Sequence, residues 1–337
     1  VHDIATNEGA NRVAINDAGA VALVGTIFNE TYDALTIGVD VEGTVEWAAM
    51  YDGPGTEPSN FDRGNGAAID AAGNIYASGR SVELDEENHV WIRRYDVGGA
   101  IAWTLTGDDT TLGVATASVF GADGLDIVGT RPASAFVTRY DEAGAVQWDQ
   151  DVVGDILCND NCGFTQVDAT DDGGVVAAGI VAGPGGGEVY VARFDTAGEP
   201  VWVQSIASAT DATIRGIDGF ESSVRVLVSG DTDHEVRSYD DAGDLEWTLD
   251  APASVLATHV AGASDGDLFL AAADGDAVVV ERIAIDGTAI WSVNHPAPDS
   301  ATAPVLSGIA FGAGRVVLAG AVTVAGQSDV WAVAISQ

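Results

Sequence analysis

Carboxylates are the reactive groups that this sequence offers most often. Asp and Glu together number 52, whereas the basic side chains number 13 and are all arginine. Short Asp-x-Asp runs bring carboxylates close together, and Ca²⁺ prefers several such oxygen ligands. None of these runs has the full spacing of a calcium-binding loop, and chance alone produces them in so acidic a chain. Ca²⁺ is therefore the only cofactor that the sequence suggests, with the candidate ligands Asp231, Asp233, Asp274 and Asp276.

Three arginines form a second set of candidate ligand-binding residues. Arg80 directly follows a glycine near the end of an apolar segment, and Arg131 lies two residues after such a glycine. Arg63 lies in a long loop segment. A guanidinium group at such a place can bind a carboxylate or a sulfate through paired hydrogen bonds. The alternative is that each arginine pairs with one of the many neighbouring acids.

Two histidines complete the set of candidate ligand-binding residues. His89 and His234 fall in or near predicted loops, where a histidine can act as a general base in a lyase or hydrolase. The alternative is a surface or structural role, since no recognisable partner accompanies either residue. The sequence contains no Gly-x-Ser-x-Gly elbow, no HExxH helix and no phosphate-binding loop. Nucleophilic and phosphoryl-transfer chemistry therefore have no positive support, and catalytic residues are not assigned.

The two cysteines lie close together in the run CNDNC. Cys158 and Cys162 are predicted to form a disulfide in an oxidising compartment. A zinc site is the less favoured alternative, because no second Cys or His pair lies near enough in sequence to complete a tetrahedron.

The formal charge of −39 limits the partners of the protein. Nucleic acids and anionic membranes are held by clusters of Lys and Arg, so nucleic-acid binding is excluded. The sequence starts at Val1 and has no apolar run long enough to span a bilayer. We therefore expect an exported product that is extracellular, attached to the outer surface or periplasmic, with a lipid anchor or linker upstream of Val1.

An internal repeat positions these candidate residues. Its first half is a turn and a strand that ends in glycine, as in NDAGAVALVG (residues 16–25) and DAAGNIYASG (residues 70–79). Its second half is a hairpin that ends in tryptophan, as in YDVGGAIAW and FDTAGEPVW. The tryptophans are separated by 56, 45, 54, 45 and 44 residues, by subtraction of the positions Trp47, Trp103, Trp148, Trp202, Trp247 and Trp291.

This repeat predicts a β-propeller. Each unit supplies four short antiparallel strands, which is the content of one propeller blade. The first half of the repeat occurs a seventh time, at residues 312–320. The fold is therefore predicted to be all-β, a seven-bladed β-propeller that forms one domain over residues 1–337. The seventh blade lacks its outermost strand, and we expect the N-terminal segment to supply it, so that pairing of the N- and C-terminal segments closes the propeller.

At these residues the chain resembles the bacterial seven-bladed β-propeller repeat family. Its units run Asp, two residues, Gly-Asn, an apolar strand and Gly, followed by a basic-aromatic-Asp hairpin, and DAAGNIYASG followed by WIRRYDVGGAIAW matches this order. The resemblance covers essentially the whole chain and implies an exported or surface-attached protein. A weaker likeness to quinoprotein propellers is not extended to a quinone cofactor, because Cys158 and Cys162 are not adjacent.

Propellers usually bind their ligands at the face that carries the loops between blades and the loops between the second and third strands. The leading hypothesis is a non-enzymatic, extracellular or cell-surface scaffold that recognises a protein or a glycan through this loop-rich face. One alternative is a carbohydrate-active enzyme, a polysaccharide lyase or hydrolase, with its site at the mouth of the channel. Another is a structural subunit of a surface layer or filament.

Overall fold

The computed structural model describes most of the chain as β-strands. The described residues are 8–55, 61–82, 87–106, 112–132, 134–152, 163–183, 186–206, 212–221, 223–229, 234–250, 259–286, 288–296, 304–324 and 327–336. Within these ranges there is no helix of the length and hydropathy needed to span a bilayer.

The described strands form seven sheets, in which strands that follow each other in sequence lie side by side. The first three sheets contain β1 (Glu8–Ile15), β2 (Val21–Asn29), β3 (Thr31–Val39) and β4 (Val45–Tyr51); β5 (Arg63–Ile69), β6 (Ile75–Val82), β7 (Asn88–Tyr95) and β8 (Ile101–Leu105); and β9 (Val114–Gly121), β10 (Gly124–Arg131), β11 (Ser134–Tyr140) and β12 (Val146–Val152). The next two contain β13 (Gly163–Ala169), β14 (Val175–Gly183), β15 (Gly186–Phe194) and β16 (Pro200–Ile206); and β17 (Thr213–Phe220), β18 (Ser223–Ser229), β19 (His234–Tyr239) and β20 (Leu245–Asp250). The last two contain β21 (His259–Gly262), β22 (Leu268–Asp274), β23 (Ala277–Ile283) and β24 (Ala289–Pro296); and β25 (Val305–Gly312), β26 (Arg315–Val324) and β27 (Gln327–Ser336).

This strand order confirms the predicted fold class. Seven sheets of antiparallel, sequentially connected strands are the blades of a seven-bladed β-propeller. The seventh blade has three strands in the described part of the chain. The segment that we expected to supply its fourth strand lies at residues 1–7 or upstream of them, outside the described residues.

The chain divides into two compact units, and the prediction of a single domain stays a prediction. The first unit comprises Val1–Ala115, Ala271–Arg282 and Ile290–Gln337. Within this unit, β1 of the first blade packs against β25, β26 and β27 of the last blade. The hydroxyl of Ser328 also donates a hydrogen bond to the carbonyl of Glu8, at 3.0 Å. The first and last blades are therefore direct neighbours, as the expected closure requires.

The second unit comprises Thr116–Leu270 and Ile283–Ala289. Its blades pack through small and β-branched side chains, and one core cluster joins Val176 and Val191 of the fourth blade to Val224 and Val226 of the fifth. Apolar residues on both faces of the inner strands bury these faces between neighbouring sheets, so most of the hydrophobic driving force lies between blades.

The repeated Asp of the hairpin stabilises the turn in which it lies. In the turn before β8, Asp96 Oδ1 accepts hydrogen bonds from the amides of Gly98 and Ala100, at 3.0 and 2.8 Å. Gly99 in the same turn has a φ of +81°, a left-handed conformation that glycine adopts without a steric cost. Asp141, Asp195 and Asp240 make the same bonds in later blades.

Two of the repeated tryptophans, one in each unit, join their blade to the following one through a hydrogen bond. The indole N–H of Trp47 donates to the carbonyl of Val97 at 3.0 Å, and that of Trp148 donates to the carbonyl of Thr196 at 3.1 Å. Both carbonyls belong to the Asp-containing turn of the following blade. The ring therefore packs on that turn and is not available for stacking on a sugar.

Buried arginines in the second unit also reach from one blade to the next. Arg139 is held by both carboxylate oxygens of Asp126 at 2.8 Å and donates to the carbonyl of Gly173 at 2.9 Å. Arg193 forms an ion pair with Asp172 of its own blade at 2.6 Å and donates to the carbonyl of Asp241 in the fifth blade at 3.2 Å. These side chains stabilise the contacts between blades.

One network in the second unit contains two carboxylates, those of Asp168 and Asp218, but only one arginine, Arg225. Asp168 accepts hydrogen bonds at 2.9 Å from the amides of Gly219 and Ala169. Asp218 forms a buried ion pair with Arg225. Loss of hydration raises the pKa of Asp168 to about 7, and the nearby charge of Asp218 adds to this shift.

We expect the melting temperature to rise as the pH falls from 8 to 5. The folded-state pKa of Asp168 lies well above its value of about 4 in the unfolded chain. Protons therefore bind the folded state first, and stability increases as the pH falls through about 7 and decreases as it rises through that value. Burial also raises the pKa of Asp126, to about 6, so its protonation adds to the rise in stability in the lower part of this window.

Calorimetric melting at constant ionic strength tests this expectation, with Asp168→Asn as the matched variant. The variant loses a backbone hydrogen bond and should melt with a smaller pH dependence between pH 8 and 6. A melting temperature that is highest at pH 8 in the unaltered protein would contradict this assignment of the Asp168 pKa.

Candidate functional site

Loops of the first two blades bring charged and aromatic residues together at one place in the first unit. Asp62, just before β5, donates its backbone N–H to the carbonyl of Tyr32 at 2.7 Å. Phe61 pairs with Tyr32 in a parallel bridge. The start of β5 is thus fixed to the start of β3. We define the blade 1–2 cluster as the group of residues around this junction: Tyr32, Asp33, Asp52, Phe61, Asp62, Arg63 and Arg80.

Aromatic rings form the exposed part of the blade 1–2 cluster. The ring centroids of Tyr32 and Phe61 are 5.8 Å apart, and those of Tyr32 and Phe28 are 5.1 Å apart. Tyr32 and Phe61 are each 38% exposed. The guanidinium of Arg63 lies 5.8 Å from the centroid of the Tyr32 ring. Exposed aromatic rings beside an arginine are a combination that is enriched at binding interfaces.

Two of the predicted ligand-binding arginines are cross-strand neighbours in this cluster. Arg63 of β5 pairs directly with Arg80 of β6. Burial lowers the pKa of Arg80, and the positive charge of Arg63 lowers it further. The negative charge of Asp62 raises the pKa of Arg80 and offsets part of this decrease. Neither arginine forms an ion pair with any residue in the described part of the chain, and Nε of Arg80 is buried without a hydrogen bond.

The blade 1–2 cluster also contains three carboxylates that lie close together. One carboxylate oxygen from each of Asp33, Asp52 and Asp62 lies within 4.8 Å of those of the other two. Asp33 and Asp62 are buried, and Asp52 is exposed. Loss of hydration raises the pKa of Asp62, whereas the hydrogen bond from the amide of Gly53, at 2.6 Å, opposes this rise.

The two oxygens of the Asp62 carboxylate differ in their surroundings. Oδ2 accepts the hydrogen bond from Gly53, but Oδ1 is buried without a hydrogen bond of normal geometry from any described residue. The Ser81 hydroxyl lies near enough to lower the pKa of this group. This hydroxyl does not form a hydrogen bond of normal geometry with Oδ1.

His89 lies close to the cluster in the sheet but is not presented to a ligand. It belongs to β7, where it pairs with Ser81, and it is 2% exposed. Its neighbour two residues on is Trp91, which stacks on Tyr51 at a centroid distance of 4.6 Å. His89 is thus part of the packed interior of the second blade.

The structure places the other predicted site residues elsewhere. Arg131, at the end of β10, forms ion pairs with Asp149 and Asp151, each at 2.7 Å. His234, at the start of β19, shares a hydrogen bond of 2.8 Å with the hydroxyl of Ser229. Both side chains are held by partners in their own blade.

The predicted metal ligands and the predicted disulfide are described only in part. Asp274 and Asp276 are exposed at the turn between β22 and β23. They do not belong to a group of three metal-ligating side chains within the described ranges, where the only such group is that of Asp33, Asp52 and Asp62. Asp231, Asp233, Cys158 and Cys162 lie outside the described residues.

Sequence reasoning missed the three carboxylates of the cluster. Asp33, Asp52 and Asp62 come from three different segments and form no short motif. The only signal was indirect, since Asp62 is adjacent to Arg63, which the sequence had placed in a long loop segment.

A second candidate place is a groove of about 150 Å³ in the first unit, between the first and last blades. Its walls are largely apolar and include Val21, Val39 and Val317. Arg315, at its edge, already donates a hydrogen bond of 2.6 Å to the carbonyl of Val41. The blade 1–2 cluster offers more exposed aromatic surface and more uncompensated charge, and it is the stronger candidate.

Comparisons with known proteins give the fold. No protein-family model matches the chain, and no curated protein matches it. The chain is similar to the solved structure of Kuenenia stuttgartiensis hydrazine synthase, with 10% identity and a TM-score of 0.64 over 98% of this chain and 97% of that chain. It is also similar to the WD40 domain of Neurospora crassa Pan2, with 10% identity and a TM-score of 0.63 over the full length of both chains.

A third similar structure is the periplasmic gluconolactonase PpgL of Pseudomonas aeruginosa, with 15% identity and a TM-score of 0.55 over 86% of this chain and 87% of that chain. Propellers with different activities therefore resemble this chain about equally well, and fold alone does not imply function. What the comparisons establish is that this chain is a β-propeller.

Proposed function

We propose that this protein is a non-enzymatic binding scaffold that recognises a protein partner through the blade 1–2 cluster. The observation that carries the proposal is the pair Arg63 and Arg80, which lie side by side and without an ion pair among the described residues. In a chain with 52 acidic and 13 basic residues, most arginines could find a carboxylate partner nearby. Two neighbouring guanidinium groups without one favour a carboxylate that a ligand brings.

The aromatic residues of the cluster define the rest of the partner's chemistry. Tyr32 and Phe61 offer two partly exposed rings at the same place as Arg63. A rigid aromatic surface beside a planar guanidinium favours a polypeptide that places an apolar side chain next to an acidic one. We propose that the partner is a protein of this kind.

The alternative of an enzyme has less support from the geometry. A lyase or hydrolase needs an accessible general base near the arginines. The nearest predicted base, His89, is 2% exposed, and the carboxylates of Asp33 and Asp62 in the cluster are also buried. A glycan that carries carboxylates remains an alternative ligand for the arginine pair and is one arm of the test below.

The location of the protein is part of the proposal. The resemblance of the repeats to exported bacterial propellers supports a site of action at the cell surface or in the periplasm. We therefore propose that the partner is found in the same compartment.

The test is affinity capture with immobilised protein from cell-surface and periplasmic fractions. The double variant Phe61→Ser/Arg63→Gln changes two exposed side chains, and we expect it to retain the partner at least about 10-fold more weakly than the unaltered protein. Arg237→Gln is the control, because Arg237 lies in the fifth blade and pairs with Glu235.

Three results would contradict the proposal. Equal retention of the partner by the double variant would place the interface elsewhere. Retention of acidic glycans alone would change the class of ligand. Turnover of a bound glycan by the unaltered protein would show that the protein is an enzyme.

A further inference from the structure

We propose that Asp33, Asp52 and Asp62 bind one divalent cation of the Ca²⁺ type. This inference does not depend on the protein-binding role, and it concerns residues other than those that the sequence suggested for calcium. It rests on the positions of the three carboxylates and on the unpartnered, buried oxygen of Asp62.

The spacing of the carboxylates suits a calcium ion. Their ligand oxygens all lie within 4.8 Å of one another. Ca²⁺ binds oxygen at about 2.3–2.6 Å, so two ligands on opposite sides of one ion are roughly 4.6–5.2 Å apart. Mg²⁺ binds at about 2.0–2.1 Å, so two ligands on opposite sides of this smaller ion are roughly 4.0–4.2 Å apart.

Asp62 supplies the second, independent observation. Its side chain is fully buried, with 0% exposure, and its Oδ1 has no hydrogen bond of normal geometry from a described residue. A buried carboxylate oxygen without a donor is unfavourable, because that oxygen has lost its hydration and gained no hydrogen bond in exchange. A cation bound at this oxygen would replace the lost hydration.

Charge in the cluster favours a weakly bound cation. Three carboxylates this close repel one another, and a divalent ion would neutralise much of that repulsion. The positive charges of Arg63 and Arg80 weaken the binding of a cation. Arg80 interacts electrostatically with Asp62, and Arg63 is its cross-strand neighbour. We therefore expect an affinity in the range of extracellular calcium modules and not that of intracellular sensors.

A bound ion would join three segments of the chain. Asp33 lies in β3, Asp52 follows β4, and Asp62 precedes β5. Asp33 is adjacent to Tyr32, and Asp62 is adjacent to Phe61. The ion would thus hold both exposed aromatic residues in position.

The test is a calorimetric titration of the metal-free full chain with CaCl₂ at neutral pH and about 0.15 M NaCl, where screening reduces diffuse attraction to the acidic surface. We expect one saturable site with a dissociation constant on the order of 10⁻⁴–10⁻³ M. Asp62→Asn and Asp52→Asn should each weaken binding at least about 10-fold. The control is Asp274→Asn/Asp276→Asn, which also removes negative charge and should bind Ca²⁺ unchanged.

Several outcomes would overturn the proposal. The first is the absence of saturable binding to the unaltered protein. The second is equal binding by Asp52→Asn, an exposed change that leaves folding intact, because the affinity would then reflect only the overall negative charge. The third is loss of binding in the Asp274→Asn/Asp276→Asn control. Equal affinity for MgCl₂ would contradict the assignment to the Ca²⁺ type.

Discussion

Replacement of Gly179 by alanine is expected to destabilise the fold by about 3 kcal/mol or more, which corresponds to a fall in melting temperature of roughly 5–10 °C. Gly179 lies in β14 and pairs with Phe164 of β13, next to an irregularity in the register. A Cβ atom on Gly179 would overlap the carbonyl oxygen of Gly163 and lie 2.6 Å from the Cα of Phe164. Both are backbone atoms, so relief of the clash requires β13 to move.

The same arrangement explains why the first half of the repeat ends in glycine. At each equivalent position a Cβ atom would overlap a backbone carbonyl of the first strand of the blade. These positions are Gly25, Gly79 and Gly320. The recurring glycine is therefore required by close approach of two strands, since its φ is not in the left-handed region.

Gly275→Ala is the control for the Gly179 prediction. Gly275 has a φ of +57°, and an added Cβ would meet no atom within 4 Å, so the variant should cost only about 1 kcal/mol. Thermal melting of both variants measures the difference. Equal melting temperatures would show that the strands can separate at Gly179 without cost, contrary to the packing described above.

Replacement of Arg225 by methionine is expected to destabilise the protein by about 3–5 kcal/mol at pH 8. Arg225 is buried and forms an ion pair with Asp218, and it donates a further hydrogen bond to the carbonyl of Gly266. Without the guanidinium, Asp218 and the nearby Asp168 would be two close carboxylates with no cation between them. A methionine of similar length fills the space but neutralises neither charge.

The cost of Arg225→Met should depend on pH. Burial and the neighbouring charge raise the pKa of Asp168 to about 7, and burial also raises the pKa of Asp218. Lowering the pH to 5 protonates these groups more fully and should recover part of the lost stability. Chemical denaturation at pH 8 and pH 5 measures both values.

The control for Arg225 is Arg237→Met. Arg237 pairs with Glu235 where both side chains are partly exposed, at 22% and 26%, so its loss should cost about 1 kcal/mol or less. Two results would contradict the conclusion that Arg225 neutralises the carboxylates of Asp168 and Asp218. The first is that Arg225→Met is no more destabilising than Arg237→Met. The second is that Arg225→Met is equally destabilising at both pH values.

The fold could be predicted from the sequence because the repeat encodes local requirements. The Asp of the hairpin turn, the glycine near the end of the second strand and the tryptophan of the fourth strand recur in most units. Each is explained by a contact within one blade or with the next blade, such as the hydrogen bond from Trp47 to Val97. A constraint that recurs in every unit is visible in one sequence.

The candidate site could be predicted only in part, because it does not recur. Arg63 and Arg80 were selected from their loop positions, and the structure brings them together. Asp33 and Asp62 were missed, since only the pairing of the start of β3 with the start of β5 brings them close. A second bridge, between His89 and Leu112, joins the next two blades, but neither of its residues is acidic, so the carboxylates leave no periodic signal.

Burial accounts for the remaining differences. His89 was selected as a loop residue, but β7 extends far enough to enclose it in the packed interior. Arg131 was selected on the same grounds as Arg80, yet two aspartates on β12, two strands away in the same sheet, lie within reach of its guanidinium. Sequence position alone does not separate an arginine with a partner from one without.

Hydrogen–deuterium exchange of the protein alone and in complex with its captured partner tests the central claim most directly, because it locates the interface without altering any residue. If the blade 1–2 cluster is the binding surface, backbone amides around Tyr32 and from Phe61 to Arg63 will exchange more slowly in the complex. Protection confined to other blades, with unchanged exchange at these residues, would contradict the claim that this cluster binds the partner.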